Sequence, residues 1–300
     1  MPELVHLQPA WSHARSRMFR RCRREYFLHY HAAAGGFRSD APPETRLIYQ
    51  QKQLSGLRLW LTQLLRQAVY RTLYRYPDDR PEPAGRLTAE LWRLYHRDRR
   101  ALLLENWRDD PAGSPNLPEF YYDCQSPEQL FQEAQALLET GLAAFQACAR
   151  FHRLWDLTLF HLMPLEQWQR FYLGAVELYL TAAFAYQRHG QLYFWEIQLP
   201  GAAEIQRRDL AALHKFYAFG RRHLSPDKVT TFFYQPGASR AEVLPDADLN
   251  CSELRLLIDA EAAQFLSAFR SIRSPEELPE TPEHCPGCRF RGYCRQTPHG

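Results

Sequence analysis

Residues 176–198 read VELYLTAAFAYQRHGQLYFWEIQ, and this stretch decides the fold. Val176 to Tyr186 is strand-like, Arg188-His189-Gly190-Gln191 carries turn residues, and Leu192 to Gln198 is a second strand-like run rich in aromatics. The pattern predicts a β-hairpin. Further strands are expected at 157–162, at 169–173 and at Val229–Tyr234, with Arg240–Leu244 as a partner for the last. Helical spacing marks 14–31, where Phe19, Cys22, Tyr26 and Tyr30 recur on one side. It also marks 44–76, 86–107, 127–148, 206–221 and 250–270. Helices followed by a small sheet wrapped in helices predict an α/β fold. The sheet-bearing core spans 153–246, and 76–150 is a helical insertion before it.

The composition supports a globular chain. Of 300 residues, 45% are hydrophobic and 24% charged, which excludes disorder, collagen and coiled coil as whole-chain answers. A net charge of +3 excludes a polybasic wrapper of nucleic acid. Arginine outnumbers lysine 34 to three (Lys52, Lys215, Lys228), so chemistry needing a lysine has few candidates. The longest mostly apolar stretch, 173–186, contains Glu177 and falls short of the roughly 20 residues of a membrane span. With no apolar leader, the expectation is a cytoplasmic protein without membrane contact. Walker, G-x-G-x-x-G and G-x-S-x-G motifs are all missing.

Seven cysteines in such a chain point to metal ligation or buried thiols rather than disulfides. Cys285-Pro-Gly-Cys288 and Cys294 place three thiols within ten residues. The Pro-Gly turn lets the first two converge on one centre. Either an all-thiolate zinc site or an iron–sulfur cluster needs a fourth soft ligand. Cys22, on the apolar side of the first helix, is the best remote candidate. Cys124, Cys148 and Cys251 read as ordinary thiols. A centre shared by Cys22 and 285–294 would join the two ends of the chain, a constraint worth about 5 kcal/mol by loop-closure entropy.

The cysteine pattern does not stand alone. Trp11-Ser12-His13-Ala14-Arg15 through Phe19, with Cys22-Arg23-Arg24-Glu25-Tyr26-Phe27-Leu28-His29-Tyr30, resembles the opening helix of the iron–sulfur PD-(D/E)XK nucleases. These include the RecB/AddB-type nuclease domains and the related CRISPR-associated exonucleases. The resemblance implies a 4Fe–4S cluster in preference to zinc, and a single restriction-endonuclease-like domain over 1–300 with a small mixed sheet flanked by helices. In that family a helix, a β-hairpin and a further helix surround one or two divalent ions. Carboxylates hold Mg²⁺ or Mn²⁺, which activates water and neutralises phosphate charge.

Carried onto this chain, the family's motifs lose their chemistry. The helix histidine falls at Arg66, and the metal aspartate falls at Ala183. The second carboxylate survives as Glu196, but the lysine two residues on is Gln198. Of the following Gln-x-x-x-Tyr motif only Tyr217 remains. Alanine cannot ligate, arginine brings a fixed positive charge, and glutamine cannot support a hydroxide nucleophile. Lys215 from its helix, or Glu177 on the same strand as Ala183, could rescue a site. Alternatively, Arg66 pairs with Glu196 and replaces the metal's charge.

The resulting expectation is an inactive or impaired nuclease-like protein that binds nucleic acid or scaffolds a partner nuclease or helicase in DNA processing. DNA, as a single strand or duplex end, is the expected partner. Arg17, Arg20, Arg21, Arg23 and Arg24, with Arg289, Arg291 and Arg295 brought close by the cluster, form the expected basic surface. Two alternatives stay open. One is an active Mg²⁺- or Mn²⁺-dependent exonuclease or endonuclease with a relocated site. The other is a protein-interaction module without nucleic acid.

Overall fold

The hairpin turn sets the geometry of everything around it. His189 and Gly190 both take positive φ, +48° and +74°. A two-residue turn with both φ positive matches the twist of antiparallel strands. It joins β5 (Phe184–Arg188) to β6 (Gln191–Ile197).

The computed structural model describes residues 9–75, 83–155, 162–163, 169–199, 207–235, 241–244, 251–269, 272 and 274–296. The chain opens with β1 (Ala10–Trp11), α1 (His13–Arg21), α2 (Arg23–Phe27), α3 (Pro43–Lys52) and α4 (Leu57–Arg75). The predicted insertion contains α5 (Pro83–Leu103), α6 (Pro118–Tyr121) and α7 (Pro127–Gln146), followed by α8 (Ala149–Trp155). Next come β2 (Leu162–Met163), β3 (Gln169–Leu173) and β4 (Val176–Leu180), then the hairpin. Helix α9 (Arg207–Arg222) leads to β7 (Val229–Tyr234) and β8 (Glu242–Val243), and α10 (Cys251–Ala268) and α11 (Arg291–Gln296) complete the fold.

The result is a mixed α/β fold with two small sheets. One has the order β2-β5-β6-β7-β8, the other β1-β4-β3. Strand β7 runs parallel to β6, so α9 serves as the crossover that parallel neighbours require. Alternation along the strands splits the larger sheet into two buried faces. Phe184, Tyr186, Trp195, Ile197, Phe232 and Tyr234 pack with α4, α5 and α7. Ala185, Leu192, Phe194 and Phe233 pack with α9, α10 and the first helices. A third cluster, Leu28, Ala33, Ile48, Phe290 and Tyr293, joins the first helices to α3 and α11.

Several expectations are corrected. The predicted strand 176–186 breaks at 181–183, and its halves enter different sheets. Glu177 and Ala183 therefore do not share a strand. The helix expected over 44–76 is two helices, because helical structure stops at 53–56, where the Ser55 N–H donates to the Asn116 carbonyl at 3.0 Å. The first helix breaks at Cys22, whose extended backbone (φ −158°, ψ 115°) ends α1 and caps α2. Of the strand expected at 157–162 only Leu162 is described, in β2; Pro236-Gly237 lie outside the described residues.

Phe184 is wholly buried and stacks on Trp195 at a centroid distance of 5.6 Å. Phe184→Ala should cost about 3–5 kcal/mol in urea unfolding; a loss below about 1 kcal/mol would contradict the two-faced sheet. Burial, reinforced by neighbouring arginines, pushes His13 and His31 down from 6.5 to about 4. The unfolded chain thus binds more protons than the fold below pH 6.5. Their contribution should be full above about pH 6.5 and fall as pH drops towards 4. His13→Gln with His31→Gln should flatten that part of the stability–pH curve.

Candidate functional site

Glu196 sits one residue from the end of β6, on the sheet face that packs against α9. It is 2% exposed. A carboxylate this deep needs partners, and three elements supply them. From α4, Arg66 Nη2 lies 3.0 Å from Glu196 Oε2. The same guanidinium donates from Nε to the Ile197 carbonyl at 2.7 Å, so it grips both side chain and strand. From α9, His214 Nε2 lies 3.2 Å from Glu196 Oε1, a close approach not aligned for a hydrogen bond. The His214 ring is fully buried and parallel to Phe194 at 4.1 Å. Its Nδ1 lies 2.8 Å from Thr231 Oγ1 on β7. One carboxylate therefore joins α4, β6, α9 and β7.

The other expected site residues have different surroundings. Ala183 is buried beside the hairpin, with its N–H donating to the Trp195 carbonyl at 2.9 Å. The Gln198 N–H donates to the Tyr234 carbonyl at 3.1 Å and continues the sheet. Tyr217 is core, edge-on to Phe171 and Phe194. Glu177 is buried in the other sheet, where Tyr179 (2.6 Å) and Tyr172 (3.3 Å) donate to it and Arg170 lies at 3.2 Å. Lys215 is buried on α9, with its charge acting on Asp227. Helical rotation turns His214 to Glu196.

A cleft of about 840 Å³ opens beside this cluster. Arg66 and Ala183 line one part of it, and Lys52, Arg97 and Arg289 line others. Asp98 also faces it, but accepts from Trp60 Nε1 at 3.0 Å and from Arg97 Nε at 2.8 Å. Burial holds the Lys52 ammonium below its ordinary range, and its neighbours Arg15 and Arg289 push the same way. Arg289 is likewise lowered, chiefly by burial, and donates from Nη1 to the Lys52 carbonyl at 2.8 Å. His29 beside them falls to about 2 through burial and the same cations. The cleft thus concentrates positive charge.

In a second cavity, of about 250 Å³, Cys22, Cys285, Cys288 and Cys294 all form part of the lining. Cys22 Sγ accepts from the Glu25 N–H at 3.4 Å, and Cys288 Sγ from the Phe290 N–H at 3.4 Å. Burial is the main cause that pushes the Cys288 thiol up to about 12 and Cys294 up to about 11, with Cys22 adding to both. Cys285 is raised for the same reasons. Among the described residues no three His, Cys, Asp or Glu side chains close to the spacing of a single bound ion.

The expected basic surface is largely used internally. Arg20 pairs with Glu261 at 2.6 Å, and Arg21 with Glu25 at 2.9 Å. Arg24 grips the Leu278 carbonyl at 2.7 Å and Glu280 at 2.6 Å. Arg291 lies over the Tyr122 ring and donates to the Pro286 carbonyl. Arg17 and Arg23 are exposed, and Arg23 lies over Phe19. The Arg295 side chain is outside the described residues. Sequence reasoning missed His214, Lys52, Arg97 and Asn116. The first lies three positions before Tyr217 on the same helix; the other three carry no motif.

No protein-family profile, curated protein or solved structure matches the chain.

Removing Arg66 would strand a buried carboxylate. Arg66→Met should destabilise the protein by about 3 kcal/mol. Adding Glu196→Gln should restore at least half of that. A double-mutant cycle with coupling below about 0.5 kcal/mol would show that the pair contributes nothing.

Proposed function

We propose that the chain is an iron–sulfur protein of PD-(D/E)XK nuclease-like fold that has lost hydrolysis and kept a nucleic-acid-binding cleft. The observation that carries this reading is the Arg66 guanidinium on Glu196. A helix (α4), a hairpin (β5–β6) and a further helix (α9) surround Glu196, which is the arrangement the family builds around its metal. Here the only surviving carboxylate is taken by a fixed cation. Mg²⁺ needs carboxylates together with substrate phosphate. Ala183 supplies no ligand, and the Glu177 carboxylate is engaged in the other sheet. The Asp98 carboxylate, which also lines the cleft, is held by Trp60 and Arg97.

What remains suits binding. Lys52, Arg66, Arg97 and Arg289 line the cleft, and phosphates are drawn to such clusters with release of counterions. The protein would hold a strand or duplex end for DNA processing while a partner nuclease or helicase supplies the chemistry.

The donor set around the smaller cavity fits a 4Fe–4S cluster. Four thiols surround a space of about 250 Å³, wider than one ion with Zn–S bonds of about 2.3 Å needs. Two backbone N–H groups already point at the sulfurs and would stabilise thiolates. Cys22, Cys285, Cys288 and Cys294 would hold the cluster. Its service is structural, joining the kink after α1 to the C-terminal segment.

Protein purified without oxygen should carry about four irons and matching sulfide per chain. Cys22→Ser should lose most of both; one zinc per chain and no iron would contradict the cluster. The iron-loaded protein should bind single-stranded DNA with affinity falling steeply with salt. It should cleave neither single- nor double-stranded DNA with Mg²⁺ or Mn²⁺. Metal-dependent cleavage lost in Glu196→Ala would overturn the inactive reading.

A further inference from the structure

Two cations of the cleft have no anion to answer them. Lys52, the last residue of α3, and Arg289, which follows Cys288, are both half-buried and both line the cleft. Arg289 spends Nη1 on the Lys52 carbonyl, an acceptor that the end of the helix leaves open. Among the described residues its other guanidinium nitrogens and the Lys52 ammonium make no hydrogen bond or ion pair, and none of these atoms is sealed from solvent. The charges acting on Lys52, those of Arg15 and Arg289, are both positive. Glu25, whose charge acts on Arg289, is itself held by Arg21 at 2.9 Å. Asp98, the carboxylate in the cleft lining, is held by Trp60 and Arg97. Keeping two like charges together in a half-buried place is costly until an anion joins them.

The number of charges selects the anion. A phosphodiester inside a strand brings one negative charge. A terminal phosphomonoester brings about 1.5 to 2 at pH 7, on three strong acceptor oxygens. That dianion matches an ammonium beside a guanidinium: the first acts as a point charge, the second as a fork of donors. Of the chain's three lysines, Lys52 is the one that lines the cleft among the described residues. Arg66 and Arg97 line other parts of the same space, which at about 840 Å³ has room for the nucleotide that carries the phosphate.

We propose that Lys52 and Arg289 form a subsite for the terminal phosphate of a nucleic-acid strand, so that the cleft takes hold of a phosphorylated end. This rests on the nucleic-acid reading above and adds to it the part of the strand that is recognised.

Fluorescence anisotropy on the iron-loaded protein tests this, with an internally labelled DNA strand of one sequence. The strand carries hydroxyls at both ends, a phosphate at its 5′ or its 3′ end, or that phosphate capped as its methyl ester. One of the phosphorylated strands should bind about tenfold more tightly than the hydroxyl strand, the gain of one charge-assisted hydrogen bond. The methyl cap leaves a single charge and should return binding to the hydroxyl level. Lys52→Gln should shrink the preference to within about twofold, and Lys52→Arg, which restores the charge, should keep most of it. If the glutamine variant fails to fold, the capped strand still decides. Equal binding of all forms by the wild type, a preference that survives the cap, or one that survives Lys52→Gln would overturn the terminal subsite and leave the binding cleft standing. No salt-dependent binding of any strand would overturn both readings. Inorganic phosphate should compete far less well than an unlabelled phosphorylated strand at the same concentration; equal competition would assign the subsite to free phosphate and overturn the strand end.

Discussion

The Glu196 carboxylate is the constraint around which the sheet-bearing half of the protein is arranged. It is buried at the end of β6, where water cannot solvate it. Arg66 from α4 and His214 from α9 both approach it, and His214 is braced by Thr231 on β7. Moving any of these elements would leave a charge in an apolar interior, at a cost that exceeds most single contacts. The guanidinium therefore has two consequences. It fixes how α4 sits against the hairpin, and it fills with protein charge the position where the proposed ancestry would place a metal ion.

A second junction brings the N- and C-terminal segments together. The kink at Cys22 interrupts the opening helix and turns its sulfur to the cavity shared with Cys285, Cys288 and Cys294. Around it, Arg24 reaches the Leu278 carbonyl and Glu280, while Tyr122 Oη donates to the Arg289 carbonyl at 2.6 Å. Arg289 leaves this junction and enters the cationic cleft. Cys288 lines the cysteine cavity and the next residue, Arg289, lines the cleft. A cluster that held the C-terminal segment in place would also hold Arg289 and, through its bond to the Lys52 carbonyl, the end of α3.

Much of this was legible in the sequence. The hairpin announced itself through its turn residues and aromatic arms. The opposite charges at Arg66 and Glu196, on motif positions expected to face each other, pointed to their contact. The cysteines that line one cavity were the ones whose spacing and apolar setting singled them out. Other features were hidden for identifiable reasons. Residues 176–186 form one mostly apolar run, and nothing in such a run marks where a strand changes sheet. The arginines of the opening helix looked like a free surface because their acceptors, Glu261, Leu278 and Glu280, lie some 240 to 256 residues away in sequence. The cleft draws Lys52, Arg97, Asn116 and Arg289 from four separate segments, so no local motif could reveal it.

The central claim is that a guanidinium occupies the place of a catalytic metal. Mn²⁺ binding followed by electron paramagnetic resonance tests it most directly, using the iron-loaded wild type beside Glu196→Gln. The account predicts that neither protein takes up Mn²⁺ in the cleft at millimolar concentration, so the two titrations superimpose. Mn²⁺ bound by the wild type and released by Glu196→Gln would show that the carboxylate still serves a metal, and would contradict the account.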